Sequence, residues 1–169
     1  MLIFFLDFTP PEKVKGDIRN DLDFLFEEIK EFKRNLSKQD SWTKGSPKSV
    51  NKLTMYGEKE ANSKKGRENM PGHVRAALNY NYLRRVHNDN YSMKIVDGMK
   101  VIVCKLKPNP LGFSSVAYPV DELRLPQWFK DLPFDHAEME ATIINNKLEN
   151  LIKNIKLNFV DTWSLEIAQ

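Results

Sequence analysis

Apolar residues recur with helical spacing in three stretches of the chain and with strand spacing in one. Val14, Ile18, Leu22, Leu25, Ile29, Phe32 and Leu36 follow at intervals of three or four, with charged residues opposite, which predicts an amphipathic helix. Thr9-Pro10-Pro11-Glu12 ahead of it has the form of a capping box. The Thr9 hydroxyl can accept from the Glu12 backbone N–H, Glu12 can reach back, and Pro10 suits the first turn. The helix should begin there, with Gly16 or Asp21-Leu22-Asp23 as points at which it could divide in two. A second helix is expected over His73–Val86, where Val74, Ala77, Leu78 and Tyr82 share a face and Asn88-Asp89-Asn90 closes it. Asp135 can cap a third, whose buried side would be Met139, Ile143, Leu148, Leu151 and Ile155.

Met99–Lys105 is rich in β-branched residues and bounded by Asp97-Gly98 and Pro108-Asn109-Pro110, so it reads as a strand, with Ser115–Tyr118 as its antiparallel partner. From Ser37 to about Gly72 the periodicity disappears, leaving a long basic loop around Leu53-Thr54-Met55-Tyr56, a segment that could pair as a strand. Met1–Leu6 is apolar but too short for a membrane span or a signal peptide, and is expected to be an edge strand or packing arm. The pattern implies an α+β fold, mostly helical, with a small antiparallel sheet and a long basic loop. Residues 1–8 form an arm, 9–155 one domain and 156–169 a tail.

Composition narrows the chemistry. A chain of 169 residues with 41% hydrophobic content can fill one core. Its single cysteine, Cys104, rules out an internal disulfide framework, and it is expected to be a core thiol. His73, His87 and His136 stand apart from each other and from Cys104, so no zinc-type spacing exists. A soluble, reducing, intracellular setting is expected. Asp21 with Asp23, and Asp121 with Glu122, are close in sequence, but each pair diverges or lacks the second acidic motif of a two-metal site. Neither a phosphate-cradling glycine loop nor a Gly-x-Ser-x-Gly elbow is present.

The net charge of +3 conceals a strong asymmetry. Residues 30–107 hold 18 Lys+Arg against 7 Asp+Glu, a net +11, whereas the remainder holds 8 against 16, a net −8. A one-signed field on a loop and the helix behind it is the footprint of a polyanion site. Lys44, Lys48, Lys52, Lys59, Lys64, Lys65, Arg67 and Arg75 form its densest part. Asn51, Tyr56, Ser63, Asn69 and His73 add neutral donors suited to phosphate and sugar. The sequence offers no ladder of aromatics, so a duplex backbone is favoured over stacked single strands. The competing view is a solvated lysine-rich loop without a partner.

Met70-Pro71-Gly72-His73-Val74-Arg75 continuing to Asn81, preceded by Ser49-Val50-Asn51 and on to Tyr56, resembles the thumb of the T4-like bacteriophage family B DNA polymerases. The Thr9-Pro10-Pro11 helix and Glu31-Phe32-Lys33 are similar to the region entering the thumb from the palm. Asp97–Cys104, Asn109–Gly112, Ala117–Pro119 and Asp135–Thr142 follow the order of the end of those polymerases. Over residues 9–155, this resemblance implies a module that grips primer–template duplex behind the active site. It implies that Lys48, Lys52, Tyr56, Lys64, Lys65, Arg67, His73 and Arg75 contact phosphates, irrespective of base sequence. The palm's metal-binding aspartates and the exonuclease region of that family are absent from this sequence. The chain alone should therefore be catalytically inactive and hold no cofactor, the Mg2+ of a complete polymerase belonging to the palm. Its implied partners are duplex DNA, a palm and exonuclease fragment, and a sliding clamp, in the cytoplasm of an infected bacterium, with no membrane. Ser164-Leu165-Glu166 resembles the start of the clamp-docking tail, though the terminal aromatics are missing. An alternative is a subunit that completes a split polymerase mainly through protein contacts, by the Met1–Leu6 arm and Trp128/Phe129.

Overall fold

The computed structural model describes residues 15–60 and 70–167. The expected capping box at Thr9–Glu12 and the Met1–Leu6 arm lie outside them. Contacts divide the chain into two units, residues 1–38 with 144–169, and residues 39–143.

In the first unit, α1 (Lys15–Ser37) runs without a break through Asp21-Leu22-Asp23, one of the two points at which it could have divided; the chain ahead of Lys15, on which the other point at Gly16 turns, lies outside the described residues. Gly and Asp each cost no more than about 1 kcal/mol in a helix interior. Burial of the apolar stripe outweighs that. Leu25 and Ile29 are buried with Leu148 of the final helix (His136–Ile167), and Leu22, Ile144 and Leu151 pack around them. Lys147 lies 4.8 Å from the Phe32 ring centre and 3.6 Å from Glu28.

The second unit is built on a three-stranded antiparallel sheet, β1 (Ser46–Ser49), β2 (Lys100–Lys105) and β3 (Ser115–Pro119), with β2 in the centre. Val101 pairs with Pro119, Ile102 with Tyr118 and Cys104 with Val116, so the two strands expected from sequence pair as anticipated. The third, Ser46-Pro47-Lys48-Ser49, has no apolar pattern to announce it. It is an edge strand, where a proline without an N–H is tolerated, and all four residues are exposed. Its place depends on Gly45. A Cβ there would come within 2.6 Å of the Val103 carbonyl oxygen, so only glycine lets the chain pass this close to β2.

Leu53–Tyr56 is not a strand but the start of helix α2 (Leu53–Glu60). A strand would put Leu53 and Met55 on one face, yet Leu53 is 7% exposed and Met55 71%. The deciding contact comes from outside the segment. The Asp97 carboxylate accepts the Leu53 backbone N–H, and its other oxygen accepts the Thr54 hydroxyl at 2.9 Å, capping the helix from a distant turn.

Helix α3 (Gly72–Val86) packs on β3, β2 and α2. It was expected to bury one face, but Val74 and every residue from Ala76 to Asn81 are buried, with Tyr82 half-buried. Two asparagines make this possible. The Asn81 side chain donates to the Ile95 carbonyl at 2.9 Å and accepts the Ile95 N–H at 3.0 Å, while Asn79 donates to the Ser115 carbonyl at 2.9 Å. Each satisfies the backbone of an adjoining segment instead of water. Asn88, at φ 51°, ends the helix as expected of an αL residue.

A 3-10 turn (Ser41–Lys44) and a short helix, α4 (Gln127–Lys130), complete the packing around the sheet. Tyr118 Oη donates to the Trp42 carbonyl at 3.0 Å and Cys104 Sγ to the same oxygen at 3.4 Å. Cys104 is wholly buried, and burial pushes its thiol up to about 12. It is a core residue. Phe129 is also wholly buried, 5.3 Å from Tyr118 and 5.5 Å from Phe134, ring centre to ring centre. Phe129 therefore completes this unit's own core, with half-buried Trp128 packed on Tyr80 at 5.6 Å. The last helix, α5 (His136–Ile167), starts where Asp135 Oδ1 accepts the Glu138 N–H at 3.1 Å, as its sequence predicts.

Candidate nucleic-acid interface

The residues expected to touch phosphate fall into three groups. Lys48 and Lys52 are exposed, the first on the edge strand β1 and the second in the turn from β1 to α2. Tyr56 is half-buried on α2 and packs against the core, so its ring has a structural role. His73 and Arg75 lie half-buried in the first turn of α3, and an Arg75 guanidinium nitrogen reaches the Met70 carbonyl at 3.5 Å. Because α2 packs on α3, the two basic stretches belong to adjoining elements. Lys64, Lys65 and Arg67 lie outside the described residues. Ser164, Leu165 and Glu166 are in the helical backbone of α5, and their side chains are outside the description.

The count of basic residues overstated the exposed field at one point. Lys44 is buried, its side chain 2% exposed, and its ammonium lies 2.6 Å from Glu140. It holds the 3-10 turn against α5 and cannot meet a duplex. Lys100 is exposed as well, but in the β1–β2 register it stands opposite Ser49, and because side chains alternate along a strand it lies on the other face of the sheet from Lys48.

Lys52 has an unusual backbone. Its φ is 62°, a left-handed conformation that costs an L-residue other than Gly, Asn or Asp roughly 1–2 kcal/mol. The position turns the chain out of the β1 ladder. There, Val50 N–H donates to Met99 O at 2.9 Å and Gly98 N–H to Val50 O at 2.7 Å. Gly98 itself has φ 88° and carries the hairpin-like return that brings Asp97 under α2. The Asp97 carboxylate is thus engaged by the start of α2. Hydrogen bonds from Leu53 and Thr54 hold Asp97 below its ordinary value.

A second knot of hydrogen bonds shapes the neighbouring loop. Asp89 accepts the N–H groups of Tyr91 and Ser92 at 3.0 and 2.9 Å, the Ser92 hydroxyl at 2.6 Å and the Trp128 indole at 2.8 Å. Partial burial raises its carboxyl, but these four bonds outweigh burial and hold it well below the usual carboxylate range. Arg84 Nε donates to the Ser92 carbonyl at 2.7 Å. Tyr80 is wholly buried nearby, and burial together with Glu122 and Asp89 raises its hydroxyl far above the ordinary value.

Among the described residues there is no group of three or more His, Cys, Asp or Glu able to hold a metal ion, and no helix long and apolar enough to cross a membrane. Comparison with known protein families finds no matching model, and comparison with curated proteins finds no matching relative. The arrangement in the second unit offers exposed ammonium groups on an edge strand and its following turn. That suits ionic contact with a phosphate backbone.

Proposed function

We propose that this chain is the thumb portion of a viral family B DNA polymerase, gripping primer–template duplex during replication. The ordered resemblance over residues 9–155 supports the family, and the charge asymmetry independently supports a polyanionic partner. The observation that carries the DNA-binding part is Lys52. A position in a costly backbone conformation, where glycine or asparagine would fit better, is an exposed lysine in the turn that follows the exposed Lys48 of β1. Lys48 and Lys52, with Lys64, Lys65, Arg67, His73 and Arg75, contact phosphates and leave base sequence unread.

The test is titration of the full chain with a fluorescent primer–template at several salt concentrations. Neutralising about four to six phosphates should give a slope of log K against log salt of roughly −4 to −5. A flat dependence overturns the reading. Replacing Lys48 and Lys52 by Ala should weaken binding to unrelated sequences alike, and a sequence-selective loss contradicts it.

A further inference from the structure

The turn that joins β1 to α2 is anchored at both ends. Val50 is wholly buried and Leu53 is 7% exposed, whereas Asn51 and Lys52 between them are open to solvent. Both anchors are held by one segment of the chain, Val96–Met99. Val50 donates its N–H to the Met99 carbonyl and accepts the Gly98 N–H, while the Asp97 carboxylate accepts the Leu53 N–H and the Thr54 hydroxyl. Gly98 and Met99 thus oppose Val50 together, a bulge that the left-handed backbone of Gly98 permits. The segment is closed on itself by the Met99 N–H, which donates to the Val96 carbonyl at 3.2 Å.

By charge alone, Asp97 is misplaced in a site that receives phosphate. It hydrogen-bonds the residue next to Lys52, where a negative charge repels an incoming anion. It also occupies the N-terminus of α2, whose N–H groups would otherwise favour one. Its hydrogen bonds supply what its charge does not. Lys52 keeps its left-handed backbone, at φ 62°, only while the residues around it are fixed, since that conformation is costly by itself. On one side Val50 is fixed by the ladder. On the other, Leu53 is fixed by burial and by Asp97.

We propose that Asp97 is a positioning residue for duplex binding: by capping α2 it fixes Leu53, and through Leu53 the left-handed turn that presents Lys52 to phosphate. This rests on the reading of Lys52 as a phosphate contact. Lys48 lies within the β1 ladder and does not depend on the cap. Loss of the cap therefore removes the contribution of one contact and leaves the rest of the site in place. The effect has a sign opposite to that of electrostatics, because deleting a carboxylate from a polyanion site would otherwise tighten binding.

Titration of the full chain and its variants with a fluorescent primer–template at several salt concentrations tests this. Asp97→Ala should weaken binding about threefold or more at low salt and make the salt slope shallower by about 0.9, the value of one phosphate. Asp97→Asn, which caps a helix as well as aspartate does, should bind at least as tightly as the parent. Asp97→Ala combined with Lys52→Gly should bind no more weakly than Lys52→Gly alone, because both changes remove the same contact. Circular dichroism checks that each variant is folded. Should Asp97→Ala not fold, Thr54→Ala, at an exposed position, removes the hydroxyl bond to the carboxylate and should give a smaller loss of the same kind. An alanine variant that binds as well as the parent overturns the proposal and leaves the Lys52 contact standing. An asparagine variant as weak as the alanine one overturns it by assigning the loss to charge, and additive losses in the double variant overturn it by assigning the loss to general loosening. A parent whose binding does not respond to salt overturns the DNA reading itself, and the positioning role with it.

Discussion

The second unit gathers nineteen buried residues into one cluster, drawn from strands, helices and loops between Val50 and Met139, whereas the described side chains of the first unit form a cluster of three, Leu25, Ile29 and Leu148, with Leu36 buried apart from it. Both are largely helical in backbone, so the difference lies in how the helices are covered. Helix α3 is enclosed because Asn79 and Asn81 satisfy the backbone of neighbouring segments, and its packing is spread over sheet, loops and aromatic rings. Helix α1 has a single stripe against α5 and charged residues elsewhere. Stability should therefore be unevenly distributed, with the second unit opening only globally and the first opening locally.

The largest expected effect is in the enclosed core. Phe129→Ala removes a wholly buried ring touching Tyr80, Tyr118 and Phe134 and should cost about 3–5 kcal/mol in urea denaturation. Ile29→Ala in the first unit should cost only ~1–2 kcal/mol, because a small cluster between two helices can close over the gap. Hydrogen exchange sharpens the same contrast, with amides of α3 exchanging at least about 100-fold more slowly than those of α1 near Leu25. Equal costs for the two substitutions, or equal exchange, would break the distinction.

Gly45→Ala comes next. Its Cβ would meet Ile102 Cγ2 at 2.5 Å, Val103 O at 2.6 Å and Cys104 Sγ at 2.9 Å, and a backbone carbonyl cannot swing aside. The expected cost is about 2–3 kcal/mol, with β1 displaced and the second unit otherwise intact. A variant as stable as the parent would show that β1 is not held by this close passage.

These sites also explain what could be read in advance. β2, β3 and α5 announced themselves because their determinants are local: β-branched runs between turn residues, and Asp135 ahead of an apolar period. β1 and α2 did not. Ser46–Ser49 becomes a strand because β2 offers an open edge, and Leu53 starts a helix because Asp97 arrives from another turn. Charge counting located the basic segment but could not separate Lys44, buried on Glu140, from exposed Lys48, since both read as lysines in a polar stretch.

Asp89 gives an effect of intermediate size with a defined pH dependence. Its carboxylate is held below the ordinary 3.8, so the folded state gains stability above that pH and loses it as pH falls toward the folded value. Asp89→Asn should cost about 1–2 kcal/mol at neutral pH through its weakened bonds to Ser92 and Trp128. The gap between parent and variant should narrow below about pH 4, because there the unfolded chain's Asp89 takes up a proton while the folded carboxylate stays ionised, which favours unfolding of the parent alone. Thermal melts at pH 7, 4 and 3 measure this, and a gap that is independent of pH would remove Asp89 as the source of acid sensitivity in this loop.

The smallest effect on stability is the one that bears most directly on function. Lys52→Gly relieves the left-handed backbone while lowering the order of the unfolded chain, so the fold should gain no more than about 1 kcal/mol. A residue without a role in binding would show that gain and nothing else. A phosphate contact would show affinity for duplex DNA falling about threefold or more at low salt, with the salt slope shallower by about 0.9, the value of one phosphate. Stability and affinity then move in opposite directions at a single position. The same substitution thus separates a lysine kept for its charge from one that merely occupies a turn.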